Sequence, residues 1–519
     1  MDVTNRVESR DARTGDVRAL DVGETDAAGV DHVVSRAREA ADGFATWSRA
    51  RRAGLLEALA DGLEGERHAL VADADRETAL GATRLGAELT RTTYQLREFS
   101  RVVRDGSHLE AAVDHAAETP MGPRPDLRRM LVPLGPVAVY AASNFPFAFS
   151  VLGGDTASAL AAGNAVVVKA HPGHPAASER VAAIAREAVA SAGAPAGLLA
   201  LVHGFDAGVR LVTHPSVRAA AFTGSLAGGR ALADAAAGRP DPIPFYGELG
   251  SVNPLLVTPR AARERAEEYG QGIAGSVLQG GGQFCTKPGL VLIPQGEDGD
   301  RVVAAMAQAV SAATAAPALT ASMAEAYDRG VEARTHDARR RASGAAGGPH
   351  TTRPVLFEVA AESLTDLLAE ECFGPVAVVA RYEDEADALA ALARVPGSLT
   401  ATVLTAGETD RGLPATRASL TARAGRILFD GYPTGVAVSP AQHHGGPWPA
   451  TNTLHTSVGA TAIRRFLRPV AWQQAPQHAL PPELREGPVQ VPTRVDGVLV
   501  LPSADRDRPH DDAHGEHRE

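Results

Sequence analysis

Ala165–Lys169 reads AVVVK, an unbroken apolar run closed by a lysine. A strand with no polar side keeps neither face in water, so it belongs inside a parallel sheet covered on both faces. The chain around it repeats one scheme. Thr156–Ala162 is a helix of small residues ended by Gly163 and Asn164, and Ser178–Ser191 is a helix on the other side. Strand-like Leu198–His203, Val217–Phe222 and Pro244–Glu248 then alternate with helical Ala207–Thr213 and Leu226–Ala237. This alternation predicts a doubly wound α/β domain, whose ligands sit outside the carboxyl ends of the strands. Lys169 stands at such an end.

Farther out, Val30 to about Arg104 repeats apolar residues three and four apart and reads as helices. Met130–Tyr140 (MLVPLGPVAVY) reads as two short strands broken at Pro133, Gly135 and Pro136. A second α/β region runs from about Gly250 to Gly431. An alanine-rich helical stretch, Val302–Ala346, interrupts it, and Arg339, Arg340 and Arg341 there read as a solvated face. Tyr432–Trp472 is loop-rich in Gly, Pro and His, and Gly435–Thr451 is expected to line a substrate entrance. Ser503–Glu519, acidic and His-rich, reads as a disordered tail.

The 519 residues are 44% hydrophobic and carry a formal net charge of −11. That suits a globular protein of more than one domain and argues against nucleic acid or an anionic membrane as partner. Cys285 and Cys372 are the only cysteines, too few for a disulfide framework, so a reducing, cytoplasmic setting is expected. Met1–Leu20 lacks the apolar core of a signal peptide, and no run is long enough to cross a bilayer. Lys169 and Lys287 are the only lysines; the remaining basic residues are arginine.

Six short segments carry chemistry. In Gln279–Pro288 (QGGGQFCTKP), three glycines free the backbone beside Cys285, whose thiolate could attack a carbonyl while its own N–H holds the oxyanion. A buried small residue in a turn is the plainer reading of that cysteine. In Phe245–Pro254 (FYGELGSVNP), Glu248 between Gly247 and Gly250 is either a solvated loop carboxylate or a general base with room to swing. Asn144 in Ala142–Phe149 (ASNFPFAF) is either a turn residue or a second oxyanion donor. Phe222–Gly229 (FTGSLAGG) opens a helix near Ser225, with Gly224 at the turn and amides suited to a pyrophosphate. Lys169 could meet a nucleotide, or be a snorkelling lysine at a strand end. Glu371 in Glu371–Pro375 (ECFGP) could bind ribose hydroxyls, or lie in an ordinary turn.

In this order the six segments resemble the aldehyde dehydrogenase superfamily, over about Val30–Arg494. Four stretches are similar to the branch that holds α-ketoglutarate semialdehyde (2,5-dioxopentanoate) dehydrogenases and NADP⁺-preferring fatty aldehyde dehydrogenases. They are KAHPGHP at Lys169–Pro175, PFYGELGSVNP at Pro244–Pro254, GQFCTKPG at Gly282–Gly289 and HGGPWPAT at His444–Thr451. The resemblance implies a Rossmann-type cofactor domain (1–113 and 134–248) and an α/β catalytic domain (249–431). A small β oligomerisation element with entrance loops (114–133 and 432–480) would complete it, giving a homodimer or homotetramer. It implies Cys285 as nucleophile, Asn144 and the Cys285 N–H as oxyanion donors, and Glu248 as the base that hydrolyses the thioester. Lys169 would bind the adenosine ribose or a 2′-phosphate. Gly224, Ser225 and the Gly229 turn would face the pyrophosphate, Glu371 the nicotinamide ribose, and Phe373 the nicotinamide. Lys287, two residues beyond Cys285, is a candidate for lowering the thiol pKa.

One departure bears on NADP or NAD as cofactor. Many NAD⁺-preferring members carry a glutamate three residues after the lysine, where this chain has Pro172, and no acidic residue follows Lys169 until Glu179. NADP⁺ is therefore favoured, with Arg210 as a second phosphate contact. The substrate is expected to be 2,5-dioxopentanoate, with aliphatic or other semialdehydes as the alternative. A silent homologue and a CoA-acylating enzyme are the competing classes; intact Cys285, Glu248 and Asn144 weigh against the first, and Glu248 and the lack of an obvious CoA site against the second. No metal site stands out. His171 and His174 are separated by Pro172 and Gly173, which break a helix, and His443 and His444 are adjacent, so supporting or surface roles are expected of all four.

Overall fold

A computed structural model describes residues 6–502; the expected tail, 503–519, lies outside them. Val166–Lys169 is a strand, and Val166, Val167 and Val168 are wholly buried. It belongs to a five-stranded sheet in the order Phe245–Glu248, Ala219–Thr223, Val137–Tyr140, Val166–Lys169, Leu199–Val202, parallel throughout. Strand order reverses beside Val137–Tyr140, the kind of switch point at which a crevice opens. Asn144, Lys169, Ser225 and Glu248 all lie at or just beyond the carboxyl ends of these strands.

Seven strands form the second sheet, in the order Arg339–Ser343, Val355–Ala360, Val376–Tyr382, Leu290–Pro294, Pro254–Val257, Ser398–Leu404, Ala424–Phe429. All are parallel except Arg339–Ser343. Alternate residues enter two separate cores. Leu290, Leu292, Val376 and Val378 pack on one face, and Val291, Ile293, Ala377 and Val379 on the other. Burying each such side chain contributes roughly 1.5–3 kcal/mol. The Cys285 and Glu371 segments lead into the amino ends of Leu290–Pro294 and Val376–Tyr382. The amino edge of this sheet therefore meets the carboxyl edge of the first.

The helical reading of the N-terminal region holds. Ala27–Ala45, Arg49–Gly65, Arg67–Thr78 and Ala82–Asp105 are helices, and Asp26 and Ser48 cap the first two through side-chain acceptors. A hairpin of Arg6–Arg10 with Val17–Gly23 precedes them, unannounced by the polar sequence.

Two expectations are corrected. The alanine-rich stretch is helical only over Glu297–Ala312 and Ala321–Arg334. Arg339–Arg341 then form an exposed edge strand against Val355–Ala360, where like charge discourages further pairing. The small β element is also larger than 114–133 and 432–480. Leu467–Gln473 pairs with Leu127–Pro133 after a short 3₁₀ turn, and the sheet also takes Ala111–Asp114, Thr493–Val495 and Val498–Val500. No helix among the described residues is long and apolar enough to cross a membrane.

Candidate active site

The glycine run before Cys285 is a conformational requirement. Gly280, Gly281 and Gly282 have φ of 58°, 67° and 69°, a region costly to residues with a Cβ. A Cβ on Gly282 would also come within 2.3 Å of the Gly374 and Pro375 backbone, so this glycine lets the ECFGP segment close on the cysteine loop. Behind the loop, Asn253 (φ 55°) donates from Nδ2 to the carbonyls of Cys285 and Lys287 at 2.8 and 3.0 Å. The Cys285 side chain is half-buried, and its backbone N–H has no acceptor among the described residues.

Glu248 ends its strand and is buried. Its Oε2 accepts from the Ser457 hydroxyl at 2.7 Å, and its Oε1 lies 3.0 Å from His444 Nε2, off the angle of a hydrogen bond. His444 Nε2 is in turn 3.7 Å from Cys285 Sγ. Glu248, Cys285 and His444 thus bring three reactive atoms within 4.8 Å of one another. Burial pushes the Glu248 carboxyl up, but His444, Ser457 and Cys285 outweigh it and hold the group below its usual range. The Cys285 thiol moves the other way. Burial, and then the Glu248 and Glu371 carboxylates, hold it well above an ordinary thiol, against a weaker pull from Arg426. The resting cysteine is therefore held toward the protonated thiol, beside the Glu248 carboxylate and the His444 ring. The same three atoms would suit a thiophilic cation, which would occupy the nucleophile rather than assist it.

Asn144 Nδ2 donates to the Gln283 carbonyl at 3.0 Å, two residues before Cys285, and Arg84 Nη2 donates to the Asn144 carbonyl at 2.7 Å. The buried Glu88 Oε1 accepts the Phe147 and Ala148 N–H groups, pinning the rest of that loop. Asn144 thus reaches the cysteine loop with one amide hydrogen spare.

Of the expected cofactor residues, Lys169, Gly224 and Ser225 lie at the carboxyl ends of the first sheet, and Glu371 and Phe373 just precede the Val376–Tyr382 strand. Lys169 is half-buried, forms no hydrogen bond or ion pair among the described residues, and is held below its usual pKa by burial, with Glu24 opposing. Gly224 and Ser225 are exposed at the start of the Leu226–Ala237 helix. The Ser225 hydroxyl accepts from Gly228 and the Gly224 N–H is taken by the Glu248 carbonyl, which leaves the Leu226 and Ala227 amides facing out. Gly229 answers to packing, since a Cβ there would lie 2.0 Å from Leu249. Glu371 Oε2 accepts from the Ser251 N–H at 3.2 Å, and burial lifts its carboxyl to about 7. Phe373 is half-buried beside it. Arg210 points elsewhere, with Nε and Nη2 each 2.8 Å from the Asp31 carboxylate, so its charge already has a partner.

Three further readings change. Glu248 is fastened by Ser457 and packed against His444, not loose between glycines. Lys287 Nζ donates to the Val376 carbonyl at 2.7 Å, among Glu371 and Cys372, and is not among the main influences on the Cys285 thiol. His444, expected in a supporting or surface role, does not lie at the surface: it is buried, with Nε2 3.7 Å from Cys285 Sγ. His174 takes the supporting role foreseen for it, Nε2 meeting the Ala142 carbonyl at 2.9 Å.

Residues 2–447 match the model of the aldehyde dehydrogenase family. The chain is 45% identical over 485 residues to alpha-ketoglutaric semialdehyde dehydrogenase 2 of Azospirillum brasilense, and 41% identical over 483 residues to alpha-ketoglutaric semialdehyde dehydrogenase of Acinetobacter baylyi. Each alignment covers 91% of both chains. A solved 1-pyrroline-5-carboxylate dehydrogenase from Thermus with bound NAD shares the fold, with a TM-score of 0.78 at 22% identity over 91% of this chain and 90% of that one.

Proposed function

The chain belongs to the aldehyde dehydrogenase family, and from that premise we propose that it oxidises 2,5-dioxopentanoate to 2-oxoglutarate with NADP⁺ or NAD⁺, through a thioester on Cys285. The observation that carries the reaction is the meeting of Cys285, Glu248 and His444 beside Asn144. The two relatives named for this semialdehyde support the substrate.

Cys285 starts as a thiol. His444 Nε2, backed by Glu248, takes its proton as sulfur adds to the aldehyde carbon. The carbonyl oxygen becomes an oxyanion between Asn144 Nδ2 and the Cys285 N–H, donors whose individual loss typically costs about 10²–10³ in rate. The nicotinamide cofactor, when bound, supplies the acceptor for the hydride that leaves the former aldehyde carbon. Glu248 then takes a proton from the water that attacks the thioester, releasing the acid and restoring the thiol. This base favours hydrolysis over transfer to coenzyme A.

The crevice fits such a cofactor. Lys169 offers an unpartnered ammonium, two outward amides head the Leu226–Ala237 helix, and Glu371 can accept from ribose hydroxyls. Pro172 leaves nothing to repel a 2′-phosphate at that position, so NADP⁺ is favoured. The engaged Arg210 is not needed for this, and Glu24 near Lys169 tempers the preference. The exposed Val498 and Leu499 on the edge of the small sheet support a homodimer or homotetramer, and two free cysteines support a reducing, cytoplasmic setting.

The test follows reduced-nicotinamide absorbance with each cofactor and a panel of aldehydes, without CoA. Turnover of 2,5-dioxopentanoate, its loss by about 10⁴-fold or more in Cys285→Ala, and a higher kcat/KM with NADP⁺ are expected. Activity that survives in Cys285→Ala sinks the mechanism, and a kcat/KM far higher with NAD⁺ sinks the cofactor preference.

A further inference from the structure

The Ala82–Asp105 helix turns an unusual face toward the active site. Arg84, Glu88, Arg91 and Gln95 fall at spacings of four, three and four, on one side of the helix. Polar atoms on this face are buried without partners: Arg84 Nη1, Glu88 Oε2, both Nη atoms of Arg91 and Gln95 Oε1. Burying such groups unsatisfied is costly, and more so for a charge.

Arg91 is the extreme case. Its Nε donates to the Val436 carbonyl at 3.2 Å, which fixes the plane of the guanidinium. Its Cζ sits 5.2 Å from the centre of the Phe149 ring, and that ring is 6.4 Å from the His444 ring. Glu88, and then Cys285 and Glu248, are near enough for their charges to bear on it. Both Nη atoms, the prongs that grip a carboxylate bidentately, are idle. Val436 belongs to the loop that carries His444, so the fork is tied to the segment that reaches Cys285. Arg84 differs, because its Nη2 already holds the Asn144 carbonyl. Arg426 differs as well, because both its Nη atoms donate to the Gly435 and Pro433 carbonyls.

We propose that Arg91 is the specificity-determining residue that binds the substrate's carboxylate at the end remote from the reacting aldehyde. The inference rests on the acidic semialdehyde substrate proposed above and names the group that selects it. A carboxylate seated there supplies hydrogen-bond acceptors to the two idle nitrogens, whereas an aliphatic aldehyde of equal length leaves both unmet.

The experiment compares kcat/KM for 2,5-dioxopentanoate and for pentanal, in the wild type and in Arg91→Gln. The wild type should prefer the acid. Arg91→Gln should lose about 100-fold on it, chiefly through KM as expected of one charge-assisted bidentate contact, and change less than about 3-fold on pentanal. Arg91→Lys keeps the buried charge and serves if the glutamine variant does not fold. It should raise KM for the acid about 10-fold, since an ammonium lacks the fork, with pentanal unchanged. Equal losses on both aldehydes, or an unchanged ratio in either variant, overturn the assignment while leaving the substrate intact. A wild type that prefers pentanal overturns the substrate, and the assignment with it.

Discussion

The Cys285–Glu248–His444 cluster and the arginine face of the Ala82–Asp105 helix lie side by side, yet they differ in how their polar groups are held. In the cluster, each side chain is fastened through one atom: Glu248 Oε2 by Ser457 and Asn144 Nδ2 by Gln283, while Glu248 Oε1 and His444 Nδ1 form no hydrogen bond among the described residues. On the helix, Arg91, half-buried as a residue, keeps both terminal nitrogens without a partner, and Glu88 keeps one oxygen. Groups assigned to the reaction are fastened in advance and cost little to reorganise. Groups that choose the substrate are left for the substrate to complete, so that the wrong molecule leaves them unsatisfied.

The contrast can be broken on the catalytic side, starting with the largest effect. Glu248→Gln should leave a first burst of reduced nicotinamide but slow steady turnover about 10²–10⁴-fold, since water loses its base; rapid-quench kinetics that show no burst would place Glu248 before the thioester instead. Asn144→Ala should lower kcat about 10²–10³-fold for acidic and aliphatic aldehydes alike. A loss confined to the acid would move Asn144 to the selecting side of the comparison. The smallest effect concerns the resting thiol. Its pKa lies well above the ordinary value, so the thiolate fraction grows as pH rises and reaches no plateau near neutrality. Inactivation by iodoacetamide without cofactor should quicken about tenfold from pH 7 to pH 8. A rate already level at pH 7 would mean a preformed thiolate.

Much of the first sheet was legible because a buried parallel strand writes itself as an apolar run, as Val166–Lys169 does. The Cys285 loop was legible because three successive left-handed positions demand Gly280, Gly281 and Gly282. His444 was not. Its place depends on close backbone contacts elsewhere, where a Cβ on Gly425 would strike the Gly445 carbonyl and one on Gly446 the Ser398 carbonyl. A sequence shows such glycines without saying what they touch. Arg91 was hidden for another reason, because arginines at helical spacing look alike whether they face water or a substrate. The Arg339–Arg341 edge strand was misread on the same ground, one run of charge serving helix face and sheet edge equally. The fork of Arg210 was assigned a phosphate because Asp31 lies far back in the chain.

The scarcity of lysine has a chemical corollary. Aldehydes condense with primary amines to give imines, so an enzyme bathed in its own substrate risks slow modification of its surface. Here the only two ε-amines are Lys169, half-buried in the crevice, and Lys287, buried against the Val376 carbonyl. The remaining side-chain cations are guanidiniums and imidazoles, which form no such adduct with a simple aldehyde. The outer surface carries its positive charge in a form its substrate leaves untouched.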